Sequence, residues 1–112
     1  MAAALGACDP DIAWWESEDV PEPTVHRGLD AVAARFAELD DLWIGLVSEP
    51  QEFIDTGDLV VVPFRQTAFG RASGVAIDEN WAHVFRLRSG KIIELREYRD
   101  LSEALEAVGL EE

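Results

Sequence analysis

Residues 80–110, NWAHVFRLRSGKIIELREYRDLSEALEAVGL, constrain the fold more than any other stretch: two strand-like runs meet at a tight turn and lead into a short helix. Side chains alternate across a strand, so Trp81, His83, Phe85 and Leu87 share one face, and Ala82, Val84, Arg86 and Arg88 the other. Ser89 and Gly90 supply the turn. On the returning strand Ile93, Leu95 and Glu97 share a face opposite Glu94, Arg96 and Tyr98. His83 thus sits in an aromatic row and Glu97 ends an apolar one. Titratable groups on inward faces are site candidates. Taken singly, each also suits a hydrogen-bonded core histidine or a solvated strand end; their shared hairpin favours a site.

At 112 residues the chain predicts one domain over residues 1–112, able to bury a core without metal or disulfide staples. A formal charge of −14 disfavours polyanionic partners, so no nucleic acid is expected. The acid excess around Asp9–Glu22, Glu38–Asp41 and Glu49–Asp58 reads as a solvated shell. Cys8 is the only cysteine, and no Cys/His spacing resembles a metal site, so neither a disulfide nor a metal is predicted. No cofactor is expected either. Met1–Gly6 lacks the features of a signal peptide, and no run approaches the roughly 20 apolar residues that span a bilayer. The expectation is a soluble, cytoplasmic protein without a membrane partner.

Along the chain, Ala2–Ala7 reads as the end of a helix and Ile12–Glu16 as a short strand with Ile12, Trp14 and Glu16 on one face. Ser17–Gly28, with Pro21 and Pro23 among acids, has loop composition, which puts His26 and Arg27 in a turn or in solvent. A helix is predicted from about Asp30 to about Asp40, with Leu29, Val32, Ala33, Phe36 and Leu39 as its buried stripe. Trp43–Ile54, interrupted by Pro50, predicts a bent or edge strand, and Thr56–Asp58 a turn. Leu59–Phe69 is the most strand-like run, with Pro63 arguing for an edge or a bulge; Val75–Leu87 follows as a long strand. Strands in succession after helices predict an antiparallel curved sheet with helices packed on one side.

Three pieces, in this order, resemble the SnoaL-like branch of the NTF2-like (ketosteroid isomerase-like) superfamily. They are Asp9–Glu16 followed by His26-Arg27-Gly28, the run Glu52–Asp58 entering a valine-rich strand, and the hairpin Ala82–Asp100 with its helix. The resemblance implies an α+β cone: a strongly curved, mostly antiparallel sheet, helices closing one end, a shortened first helix, and an apolar pocket inside. It also implies a homodimer through the outer sheet face. Reactions on this scaffold are many, so function has to come from pocket residues.

Residue by residue, Glu16 resembles the isomerase's general-base aspartate, and His83 falls at or beside the acid that donates to the oxyanion. Leu95 and Glu97 match pocket-lining strand positions. The isomerase's helix tyrosine has no counterpart, since Tyr98 has the wrong parity for the pocket. The implied chemistry is acid–base work on a small apolar, carbonyl-bearing molecule. Glu16 would remove a proton beside the carbonyl, His83 would hold the oxyanion, and Glu97 would orient the imidazole. Trp14, Phe64, Trp81, Phe85 and Leu95 would line the pocket, although ordinary core packing also suits these aromatics. Arg65 could reach an anionic ligand if it faced inward. The alternative is a non-catalytic binding or dimerisation module.

Overall fold

The computed structural model describes residues 6–17 and 24–109. The strands are β1 (Cys8–Trp15), β2 (Val25–Arg27), β3 (Trp43–Pro50), β4 (Ile54–Asp55), β5 (Leu59–Gly70), β6 (Ala76–Arg88) and β7 (Lys91–Tyr98), with helices α1 (Leu29–Leu42) and α2 (Leu101–Ala107). The predicted helix over Ala2–Ala7 lies mostly outside the described residues; Gly6 and Ala7 form a turn.

The strands form one seven-stranded sheet in the order β2-β1-β7-β6-β5-β3, with β4 paired to β5 beside the end of β3. Only β1 and β7 run parallel; every other pairing is antiparallel. The sheet is curved and unclosed, as an α+β cone requires. Its longest ladder joins β5 to β6 from Leu59↔Arg86 to Phe69↔Ala76.

Two turns follow directly from residue type. Ser89 and Gly90 both take positive φ, 51° and 78°, the backbone of a two-residue hairpin whose twist matches the flanking strands. Gly28 precedes α1 at φ 88°, where a side chain would be strained, and its N–H donates to the Ile12 carbonyl at 2.7 Å, tying the helix start to β1.

Pro63 has a different meaning from the edge or bulge expected of it. β5 is interior, paired with β6 throughout and with β3 or β4 on its other side. β3 pairing stops at Pro50↔Phe64 and β4 pairing begins at Ile54↔Val61, so Pro63 falls in the gap between them. Its carbonyl accepts from Gln51 N at 2.8 Å, and the N–H that proline lacks would have faced an unpaired stretch.

The expected placement of helices on one side holds for α1 alone. Helix α1 packs Val32, Phe36 and Leu39 against Ile12, Trp14 and Leu95, whereas α2 packs Ala104 and Leu105 against Val61, Ala82 and Val84. Ala82 and Val84 have opposite parity from His83 and Phe85 on β6, so the helices cover opposite faces of the sheet. Asp100 caps α2 by accepting from Glu103 N at 2.8 Å. A register shift opposite Arg86 and Leu87 makes one further correction: Ile92, rather than Ile93, packs with the Leu95 cluster.

Candidate functional site

The inner face of the sheet reads as four cross-strand rows. Ser48, Gln66 and Glu79 pair across β3, β5 and β6, and Pro50, Phe64 and Trp81 form the next row. Val62, His83 and Glu97 follow on β5, β6 and β7; Phe85, Leu95, Trp14 and His26 make the fourth across β6, β7, β1 and β2. Trp15 pairs with Arg96, so Glu16, the next residue, leaves the sheet beside Glu97. Polar and apolar rows therefore alternate. Over them, closed by Arg35, Phe36 and Leu39 of α1 and by Trp43 and Leu46 of β3, lies a cavity of about 230 Å³.

Glu16, His83 and Glu97 all line this cavity, as do Trp14, Phe64 and Trp81. Phe85 and Leu95 do not: both pack one row deeper, in the core with Trp14, Val32 and Ile92. Their parity is inward, but on β6 and β7 the cavity ends at the row of His83 and Glu97. Phe85 meets His83 edge-on at 5.6 Å between centroids, and Phe64 lies at 4.3 Å on a tilted plane, so two rings fix the imidazole.

Two imidazole–carboxylate pairs flank the site. His83 Nε2 lies 3.8 Å from Glu97 Oε2, beyond hydrogen-bond range, while Glu97 Oε1 accepts a long contact from Ser17 N at 3.4 Å. Glu16, its side chain only 8 % exposed, has a closer partner that the loop reading of His26 missed. His26 Nε2 stands 2.5 Å from Glu16 Oε1, so one proton lies between them, on the ring nitrogen or on the carboxyl. Arg35 Nε lies 3.5 Å from the same oxygen, an electrostatic contact without hydrogen-bond alignment. Residues 25–27 form a strand too short to carry a periodic signal, which is why composition alone read them as loop. Arg35 had a usable signal: it follows Val32 by three residues and so borders the buried stripe of α1.

Trp14 is 4 % exposed, and its indole Nε1 has no hydrogen-bond partner among the described residues. Glu79 accepts from Trp81 Nε1 at 2.9 Å. Glu16 and Glu97 also border a second cavity of about 210 Å³, shared with Trp15, Arg96, Tyr98 and Glu103. Arg65 faces away from the pocket: it is exposed and bidentate to Asp78, at 2.7 and 2.6 Å. That pairing holds the Asp78 carboxyl below its ordinary value, chiefly through the hydrogen bonds from Arg65. Among the described residues no three His, Cys, Asp or Glu side chains gather as a metal site, and no helix is long and apolar enough to cross a membrane.

Rows of this kind around one hollow invite comparison with known proteins, and the SnoaL-like domain description matches residues 1–95. The chain belongs to the SnoaL-like domain family. Among solved structures it is similar to an NTF2-like protein from Burkholderia thailandensis, at 27 % identity and a TM-score of 0.80 over 96 % of this chain and 83 % of that one. A candidate SnoaL-like polyketide cyclase from Jannaschia sp. CCS1 follows at 22 % and 0.77, covering 96 % and 76 %. A protein of ketosteroid isomerase-like fold from Catenulispora acidiphila, in complex with trimethylamine, gives 16 % and 0.77 over 95 % and 79 %. At those last two identities the likeness establishes the fold alone. No curated protein matches. The SnoaL-like chain thus shares its family's fold, with a hollow enclosed between the curved sheet and α1.

Proposed function

We propose that this SnoaL-like domain, taken as one unit over residues 1–112, performs general acid–base chemistry of the isomerase, cyclase or lyase kind on a small, largely apolar carbonyl compound. The observation that carries the reading is that Glu16 and His83 line one cavity of about 230 Å³ while each faces a further ionisable partner. Glu16 takes a proton from the carbon beside the carbonyl. The C–H electrons form the enolate double bond, and charge moves to the oxygen, where His83 donates a hydrogen bond. Return of the proton at the same or another carbon, or loss of a leaving group, completes the cycle. Glu97 faces the imidazole across 3.8 Å, Phe85 and Phe64 hold its plane, and Trp14 and Trp81 wall the ligand. His26 and Arg35 fix the Glu16 carboxylate.

The test is deuterium exchange beside the carbonyl of a small ketone in D2O, followed by proton NMR. Wild type is expected to exceed the buffer rate and Glu16→Gln to fall to it. A wild-type rate equal to buffer, or an unaffected variant, overturns the reading. One observation favours a second reading, a non-catalytic binding module: Glu16 Oε1 is already engaged by His26 and Arg35. Ketone binding without exchange, indifferent to Glu16→Gln, would select it.

The fold is also proposed to act as a homodimer in the cytoplasm, joined through the outer sheet face. Ile44 and Phe69 pair across β3 and β5 there and are 47 % and 54 % exposed, with Val47 beside them at 48 %. Light scattering should show a dimer that Phe69→Glu splits; a monomeric wild type would remove this proposal.

A further inference from the structure

We infer that the ligand carries, besides its carbonyl, a positively charged amino or quaternary ammonium group, held at the Ser48–Gln66–Glu79 row. The inference rests on the acid–base reading for the carbonyl end and extends the same cavity to its other end. The starting point is charge. Three carboxylates, those of Glu16, Glu79 and Glu97, line the cavity against the guanidinium of Arg35 and the imidazole of His83. Glu16 faces His26 and Arg35, and Glu97 faces His83 at 3.8 Å. Glu79 has only the neutral Trp81 Nε1 at 2.9 Å, and no basic side chain comes within ion-pair distance of it among the described residues. A half-buried carboxylate facing a hollow attracts a cation more strongly there than in open water.

The walls suit the same occupant. Trp43 and Trp81 line the cavity, and aromatic faces attract alkylammonium groups, most strongly those of tryptophan. Arg99 already lies 5.3 Å from the Trp81 ring, outside ion-pair reach of Glu79, so that indole already serves as a cation-bearing surface. Trp43 carries no such cation among the described residues.

The opposite end asks for an acceptor. His83 lines that end, and its Nε2 stands 3.8 Å from Glu97 Oε2, beyond hydrogen-bond range. A ligand oxygen supplies that acceptor. Glu79 and His83 stand four residues apart on β6, roughly 13 Å along the strand, with the apolar Phe64–Trp81 row between them. The occupant that satisfies both ends is therefore a short amino ketone: oxygen toward His83, methylenes over Phe64, and ammonium at Glu79.

The experiment compares 5-(trimethylammonio)pentan-2-one with its neutral isostere, 6,6-dimethylheptan-2-one, by calorimetric titration, with deuterium exchange read in the same samples. The ammonium ketone is expected to bind about tenfold more tightly, and Glu79→Gln to cut that preference to about threefold or less without weakening the neutral ketone. Gln keeps an acceptor for Trp81 Nε1, so the fold should survive; Trp43→Leu, which leaves Glu79 intact, should reduce the preference as well. Equal or tighter binding of the neutral ketone, a preference left unchanged by Glu79→Gln, or no binding of either ketone overturns the inference. Preference without exchange supports the ammonium site and strikes only the acid–base reading. Exchange on both ketones without preference does the reverse.

Discussion

The two imidazole–carboxylate pairs use the same chemical groups in opposite ways. His26 and Glu16 meet at 2.5 Å at the start of the sheet, with the Arg35 guanidinium 3.5 Å from the same carboxylate oxygen. His83 and Glu97 are direct cross-strand partners on β6 and β7, yet Nε2 and Oε2 stay 3.8 Å apart. The first pair is a closed unit that fixes a carboxylate; the second keeps an imidazole held by rings but open to a ligand. The difference teaches that register adjacency brings groups to one row, while side-chain length and neighbouring elements decide whether they bond. It also assigns the parts proposed above: the fixed carboxylate as base, the open imidazole as donor.

The sharpest way to break that assignment is Glu16→Gln, expected to lower ketone exchange by roughly 10²- to 10⁴-fold, the usual span for loss of a general base; a loss below threefold would leave the closed pair a structural element. His83→Gln should follow with about 10²-fold, as for removal of one oxyanion donor. His26→Ala should cost only about tenfold, because Arg35 still faces the carboxylate. If His26→Ala proved worse than His83→Gln in kcat, the assigned roles would have to be exchanged. Glu97→Gln should change kcat by no more than about threefold, given a separation beyond hydrogen bonding. The smallest effect lies outside both pairs, in the exposed Arg65–Asp78 contact. Asp78 is held below its ordinary 3.8, so what it adds to stability is present above that value and fades as pH falls through the lowered one. A carbon NMR titration giving a midpoint at or above 3.8 would show the pair to be loose in solution.

Much of this was legible in the chain. Alternation along Trp81–Phe85 and Leu95–Glu97, with turn residues at Ser89 and Gly90, fixes which side chains face inward, because one face of a strand cannot be moved without moving every second residue. The stripe Val32, Phe36 and Leu39 set the face of α1 in the same way. His26 escaped because three residues of strand next to a proline-rich segment carry no period. Phe85 and Leu95 had the right parity and the wrong depth, since alternation gives the side of a sheet and says nothing of where a hollow ends.

Local pattern therefore determined the helices and the longer strands, their inward faces and the row holding His83 and Glu97: each follows from backbone geometry repeating every two or 3.6 residues. Only the tertiary structure decided that the two helices lie on opposite faces, that Pro63 meets a gap in pairing, and that His26 and Arg35 converge on Glu16. Those outcomes depend on the curvature of the sheet and on contacts between elements distant in sequence, and no local period encodes them.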